Sequence, residues 1–250
     1  MSDITVALEY CNKGDIASLT GVLSDPSINI TDNLLFDLLQ TSSGNGNAVI
    51  VHYLLNLYNP KTLDDKVYRA AAVSNSIDTF KLIFARNPMC ITEFFERRGT
   101  LLAIALASGA SPEFIEYLLS IGADPSVSSD DTISPLAYAA HQYDSPAMVK
   151  LLTEHGAQLK GSGVLASAAK KGAVATVKYL LDQKADPNDP GSWPQPTLAL
   201  HTAVKGGYLD ICKLLLVNGA DARLKDGSGK TAIDIARDTN NKEIISLLEL

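Results

Sequence analysis

The strongest constraint on the fold of this chain is a recurring pair of aliphatic residues. Eight such pairs run from Val22-Leu23 to Leu247-Leu248, and Leu118-Leu119 is typical of them. Their second members are 28 to 36 residues apart, with a mean interval of about 32 residues. An interval kept over a whole chain is the signature of stacked repeats, in which each unit buries its apolar face against its neighbours. The sequence therefore predicts an array of about eight similar units.

Each unit reads as two helices joined by a turn. Alanine-rich segments precede the aliphatic pairs, for example residues 136–140 and 165–169, and small side chains allow neighbouring helices to approach closely. The pairs themselves belong to amphipathic segments such as residues 209–216, whose apolar residues share one helical face. A glycine follows several pairs, where it ends a helix in the left-handed conformation, and Lys184 holds that place in one unit.

Two segments make the chain resemble the ankyrin-repeat family. Residues 206–221 read GGYLDICKLLLVNGAD, close to the second-helix signature of that family, and residues 226–236 read DGSGKTAIDIA, close to its loop and first helix. The Thr-Pro-Leu-His element is degraded, as in Thr-Leu-Leu-Ala at 100–103. The resemblance is strongest from Thr100 onward. It implies an all-α, ankyrin-type helical solenoid of about eight helix-turn-helix repeats with short loop or hairpin fingers.

The repeats are expected to fill residues 1–250 as one ankyrin-repeat domain, without room for a separate catalytic domain. In the least regular unit, residues 41–47 (TSSGNGN) read as an enlarged turn between the two helices. The predicted repeat boundaries are 2–30, 33–62, 64–92, 99–132, 134–163, 163–196, 197–230 and 231–250.

Composition narrows the class of protein. The net charge is −7 without a basic stripe, so binding to nucleic acid is not expected. The chain lacks an apolar window of about 18 residues, so no membrane span is expected. Its three cysteines are far apart, which indicates reduced thiols in an intracellular, cytoplasmic protein, with the nucleus left open as a second compartment. We expect a protein that is monomeric on its own.

The sequence gives little indication of a catalytic or cofactor-binding motif. Residues 226–231 end in Gly-Lys-Thr, but Leu224 stands where a phosphate-binding loop needs its first glycine. The four histidines have no metal-ligand spacing. His201 matches the family histidine at the start of the first helix, which by that resemblance ties adjacent repeats together. We therefore expect a chain that is not an enzyme and that needs no cofactor or metal.

The resemblance places function in a concave groove formed by the first helices and the loop tips. On units five to seven the groove-facing positions include Tyr138, His141, Gln142, Lys170, Lys171 and Lys205. Three clustered lysines in an acidic protein would receive an acidic peptide or a phosphate-bearing ligand. The alternative is a solvated helix face without a partner.

Residues 187–196 form a proline-rich loop that carries the only tryptophan, Trp193. A stiff, exposed Trp193 would anchor a partner, whereas the alternative is that its ring folds back over an apolar seam between repeats. A second aromatic loop contains Phe94 and Phe95, and one of these two rings is expected to pack inward.

The sequence therefore predicts a non-catalytic protein-interaction scaffold that binds a partner protein, with an acidic segment of that partner in the groove. The alternative is a small-molecule binder, or an unusual enzyme, that uses the groove as a pocket. Tyr138, His141 and Lys170 would then need to meet within hydrogen-bonding distance. A purely structural subunit would instead require an extensive apolar groove.

Overall fold

The computed structural model describes residues 3–95, 98–127, 133–143, 145–191 and 197–249. These ranges contain sixteen α-helices and one short 3-10 helix, Pro88–Ile91, and no β-strand. An isolated bridge pairs Phe95 with Gly99. The helices follow one another in pairs, which confirms the predicted all-α, helix-turn-helix architecture. The chain divides into two compact units, Met1–Ala123 and Asp124–Leu250.

The first unit contains eight helices in two layers. The first helices of the pairs pack side by side in one layer, and the second helices lie behind them. Their bounds are α1 Asp3–Lys13, α2 Ile16–Leu23, α3 Asp32–Gly44, α4 Ala48–Tyr58, α5 Asp65–Val73, α6 Ile77–Phe84, α7 Leu101–Ala107 and α8 Pro112–Ser120.

The second unit repeats this plan. Its first helices, α9, α11, α13 and α15, again pack on one another in order. Its helices are α9 Pro135–Gln142, α10 Ala147–Glu154, α11 Val164–Lys171, α12 Val174–Asp182, α13 Ala199–Gly206, α14 Leu209–Val217, α15 Ala232–Asp238 and α16 Lys242–Leu248.

Short polar side chains begin many of these helices. The Thr100 hydroxyl accepts a hydrogen bond from the backbone N–H of Ala103 at 3.3 Å, and the Ser134 hydroxyl accepts one from that of Ala137 at 3.1 Å. Both satisfy backbone donors that the first turn of a helix leaves free. At these two positions the degraded Thr-Pro-Leu-His elements keep a residue that caps the helix, whereas Leu198, before α13, has no capping side chain.

Left-handed residues end several of the second helices. Gly219 has φ 93°, and its N–H donates to the Leu216 carbonyl at 3.0 Å. Lys184 adopts the same conformation, with φ 65°, and its N–H donates to the Leu181 carbonyl at 2.9 Å. Lys184 therefore performs the geometric role of the glycine, although a Cβ makes that conformation costly.

The enlarged turn predicted at residues 41–47 is wrong for its first four residues, because α3 continues to Gly44. Ser42 and Ser43 are fully buried, and the Ser42 hydroxyl donates to the Leu38 carbonyl at 2.8 Å. Packing of α3 against α1 and α5 outweighs the poor helix propensity of this segment. Asn47 then joins adjacent repeats, because its side-chain amide donates to the Cys11 carbonyl at 2.7 Å.

Several predictions about single residues are confirmed. The three cysteines are free thiols, as predicted, and the structure buries Cys11, Cys90 and Cys212. The His201 ring nitrogen Nε2 lies 3.1 Å from the carbonyl oxygen of Lys230, which directly precedes Thr231, the N-cap of α15 in the next helix pair. Phe95 is buried and Phe94 is exposed.

Across the described ranges, no helix is long and apolar enough to cross a membrane. In the same part of the chain, no three His, Cys, Asp or Glu side chains lie together as a metal site would require.

Candidate functional site

Four of the predicted contact residues lie at equivalent places on successive first helices of the second unit. His141 is in the last turn of α9, Lys170 and Lys171 are in the last turn of α11, and Lys205 is in the last turn of α13. All four side chains are exposed. We call these four residues the cationic row. Because α9 packs on α11 and α11 packs on α13, the row follows one edge of the layer of first helices.

Local sequence explains why the cations lie there. Buried alanines such as Ala140 and Ala169 hold the helices together, so the polar positions of the same helices point away from the core. Gly172, with φ 75°, directly follows Lys171 and ends α11. Gly207, with φ 73°, ends α13 two residues after Lys205. A positive charge in the last turn of a helix is stabilised by the partial negative charge of the free carbonyl groups.

Electrostatics link the first three members of the row. Partial burial, and then the charges of Lys170 and Lys171, hold the pKa of His141 below its usual value of 6.5. The imidazole is therefore neutral at pH 7, and the lysines supply the positive charge. Tyr138 lies half-buried one turn before His141 on α9, and Gln142 is exposed beside it.

The charged residues at the end of the next first helix, α15, form ion pairs. Arg237, in the last turn of that helix, donates to the Glu249 carboxylate at 3.0 Å. Its neighbour Asp238 accepts from Lys230 at 2.6 Å. The lysines of this layer lie on α11 and α13, beside the neutral imidazole of His141 on α9.

The base of the loop that carries Trp193 is held by hydrogen bonds. The backbone N–H of Thr197 donates to the Pro190 carbonyl at 2.7 Å, and the Asp189 carboxylate accepts from the N–H groups of Gly161 and Gly191 at 2.5 and 2.9 Å. Trp193 itself lies outside the described residues. The two ends of the loop are therefore pinned beside the loop before α11.

The set Tyr138, His141 and Lys170, which the enzyme alternative requires, is not joined by a hydrogen bond in the described chain. A cavity of about 560 Å³ lies in the first unit and has none of these three residues in its lining. Its cations are Lys66, Arg69 and Arg98. Sequence reasoning missed this cavity, although Lys66 and Arg69 are three residues apart on a first helix and therefore share a face.

Known proteins with ankyrin repeats match this chain in sequence and in structure. Two family models described as ankyrin repeats match residues 101–191 and 183–236, together more than half of the chain. The structure is similar to the ankyrin repeat domain of human ASB11, with a TM-score of 0.69 and 21% identity over 85% of this chain and 97% of that domain.

Two curated relatives share repeats of this kind. Dauer abnormal formation protein 25 of Caenorhabditis elegans is 34% identical over 46% of this chain and 30% of its own length. The ankyrin repeat protein FPV031 of fowlpox virus is 33% identical over 60% of this chain and 47% of its own length. The chain therefore spans less than half the length of either relative. The paired helices, their caps and both family matches together show that this chain belongs to the ankyrin-repeat family.

Proposed function

We propose that this chain is a non-catalytic protein-interaction module whose cationic row binds an acidic segment of a partner protein. Ankyrin repeats are generally modules of protein–protein interaction, and repeat arrays present extended, preformed surfaces for this purpose. The observation that carries the proposal is the alignment of His141, Lys170, Lys171 and Lys205 along successive first helices. The contact set is completed by Tyr138, Gln142 and Trp193.

The central test compares two charge-reversal variants of equal net charge. In the row variant, Lys170→Glu and Lys171→Glu reverse two charges of the cationic row. In the matched control, Lys178→Glu and Lys213→Glu reverse two exposed charges on the second helices α12 and α14. Each protein is used for affinity capture from a lysate of its native cells, after circular dichroism has shown that it is folded.

We expect the intact chain and the control to recover the same protein, and the row variant to lose it. An acidic segment of that protein should bind the row variant at least about tenfold more weakly, with an affinity that falls as salt is added. Recovery by the row variant, or equal loss from both variants, would contradict the proposal. Failure of all three proteins to capture a partner would direct the work to the small-molecule alternative.

His141 supplies a second test through pH. Its pKa is lowered in the free protein, and a nearby acidic partner would raise it, so the bound state takes up a proton as pH falls. Affinity should therefore increase from pH 8 to pH 5.5, and His141→Gln should remove this increase. A pH dependence that His141→Gln leaves unchanged would place the titrating group elsewhere.

Trp193 is tested separately. If its ring is a contact for the partner, Trp193→Ala weakens partner binding and leaves the melting temperature unchanged. A large fall in melting temperature would instead mean that the ring packs against a seam between repeats.

The proposal also includes the compartment and the state of the protein. We propose a monomeric protein of the cytoplasm, with the nucleus as an additional compartment, because the thiols are free and buried. Fluorescence microscopy of the tagged full-length protein and sedimentation of the purified chain test these two statements.

A further inference from the structure

The first unit contains a polar groove that the proposed function does not use. It has a volume of about 560 Å³ and is lined by residues from the first helices α1, α3 and α5, together with Arg98 and the buried Ile104 of α7. Many of its polar side chains, including Asn12, Lys66 and Arg98, are exposed, so the groove is open to solvent along its length.

Among the described residues that line this groove, every charged one is a cation. Lys66 and Arg69 lie one turn apart on α5, Arg98 precedes α7, and this described lining includes no carboxylate. In the described ranges none of these three cations takes part in an ion pair. By contrast, Arg86 of the same unit is held by the Asn59 side chain at 2.7 Å and by the Leu55 carbonyl at 3.0 Å.

The positive charge of the groove is opposite in sign to the net charge of the unit that contains it. Residues 1–123 hold eight basic and thirteen acidic side chains, a net charge of −5. Three cations that line one groove and form no ion pair with a described residue repel one another, and a bound anion would relieve that repulsion.

Hydrogen bonding within the groove also favours an acceptor as ligand. The side-chain amide of Asn45 donates to Asn12 Oδ1 at 2.9 Å and to the Thr41 carbonyl at 3.0 Å. The oxygen of Asn12 is therefore engaged, and its amide N–H groups are left as donors. Toward the described residues Arg69 uses Nε alone, in a 3.4 Å contact with the Asp65 carbonyl, so its terminal amino groups point to a ligand as their acceptor.

We propose that this groove binds a phosphorylated serine or threonine side chain of a partner peptide. A phosphate monoester carries a charge of about −1.5 to −2 and three acceptor oxygens, which suit two guanidinium groups and an ammonium better than one carboxylate does. The groove is far larger than a phosphate ion. Half-exposed Val73 and buried Ile104 provide apolar contacts for the residues on either side of the phosphorylated one.

Openness of the groove favours a peptide over a small phosphorylated molecule. Pockets for small molecules enclose most of the ligand surface, whereas this lining is exposed along the first helices. The site uses other residues than the cationic row, so the two proposals succeed or fail separately.

The test is a titration of the ¹⁵N-labelled full chain, followed by NMR, with a blocked peptide Ala-Val-pSer-Val-Ala. The same peptide with serine or glutamate at the central position, and inorganic phosphate alone, are titrated in parallel. We expect the phosphopeptide to shift the amide resonances of Gly44, Asn45 and Ala70. Its affinity should be at least tenfold higher than that of each of the three other probes.

Variants then locate the site. Arg69→Gln with Arg98→Gln should weaken phosphopeptide binding at least tenfold, and Lys66→Gln, at an exposed position, should weaken it with the fold intact. Lys61→Gln with Lys81→Gln removes the same charge from exposed positions outside the groove and should change nothing.

Three results would overturn the inference. Equal binding of the serine peptide would remove the need for a phosphate, and equal binding of inorganic phosphate would show an anion site that does not recognise a peptide. Shifts confined to residues near Lys170, with loss of binding in the Lys170→Glu, Lys171→Glu variant, would place the ligand on the cationic row.

Discussion

The two units solve the same packing problem with different side chains. In the first unit the Phe80 ring lies 5.7 Å from that of Phe114 and 6.3 Å from that of Tyr117, and Tyr68 contacts Phe95. Every aromatic ring pair among the described residues belongs to this unit. The second unit instead fills its core with alanine and aliphatic residues. A helix pair therefore needs a buried face of suitable volume, and either large or small residues provide it.

The units also differ in surface charge. The first has a net charge of −5, whereas the second, with thirteen basic and fifteen acidic residues, has −2. In the first unit, cationic side chains line a groove. In the second unit, the lysines of the cationic row lie along successive first helices. Both family models begin at or after residue 101, so most of the first unit lies outside the matched region. The same backbone plan thus carries two different surfaces.

The largest expected effect concerns the buried thiols, which report on each unit separately. Burial raises the pKa of Cys90 to about 12 and that of Cys212 to about 11, and it also raises the pKa of Cys11. At pH 8 we expect the native thiols to react with Ellman's reagent at least about 1,000-fold more slowly than in urea, because reaction requires opening.

Alanine substitutions separate the two units in this experiment. Cys212→Ala leaves only the thiols of the first unit, and Cys11→Ala with Cys90→Ala leaves only that of the second. Unequal rates would mean that one unit opens more readily. Rapid reaction of any thiol in the folded protein would contradict its burial.

Removal of the central aromatic ring of the first unit should have the next largest effect. Phe80 is fully buried, and Phe80→Ala should lower the free energy of unfolding by about 3–5 kcal/mol in urea denaturation. The control is Phe94→Ala, at a side chain 42% exposed, which should cost less than about 1 kcal/mol. Similar costs for the two variants would show that the aromatic cluster does not stabilise the unit.

The close contact between Gly191 and Gly163 tests the packing of loops in the second unit. A Cβ at Gly191 would lie 2.6 Å from Gly163 Cα and 2.9 Å from Gly163 N, and the φ of Gly191 is +68°. Gly191→Ala should therefore cost about 2–4 kcal/mol by thermal or urea unfolding, since strain and a backbone clash add. Gly219→Ala, at φ +93° with no atom near the added carbon, should cost only about 1–2 kcal/mol. Equal losses would mean that the loop at Gly191 moves freely.

The smallest effect is a gain in stability. Because Lys184 is left-handed at φ 65°, Lys184→Gly should stabilise the second unit by about 0.5–1 kcal/mol. Lys178→Gly, within α12, should destabilise it by about 1 kcal/mol. Both are measured by urea denaturation, and a loss of stability in Lys184→Gly would show that its side chain makes contacts worth more than the strain.

The sequence by itself determined the repeat, the paired helices and many of their ends. A spacing of aliphatic pairs and a run of alanines are local patterns, and so are capping residues such as Thr100 and Ser134, so each can be recognised within one unit. The resemblance to the ankyrin-repeat family placed His201 between repeats and indicated Lys170, Lys171 and Lys205 as groove-facing positions on first helices. Their role in binding is still a prediction.

Only the tertiary structure decided what depends on neighbours in space. Residues 41–44 extend a helix because α1 and α5 bury Ser42 and Ser43, which outweighs the turn propensity of the segment. Arg98 joins Lys66 and Arg69 in one groove although it precedes α7 and the other two lie within α5, so the three residues do not occupy equivalent places in their repeats. Stacking brings such residues together, because each helix meets side chains that belong to the preceding and following repeats.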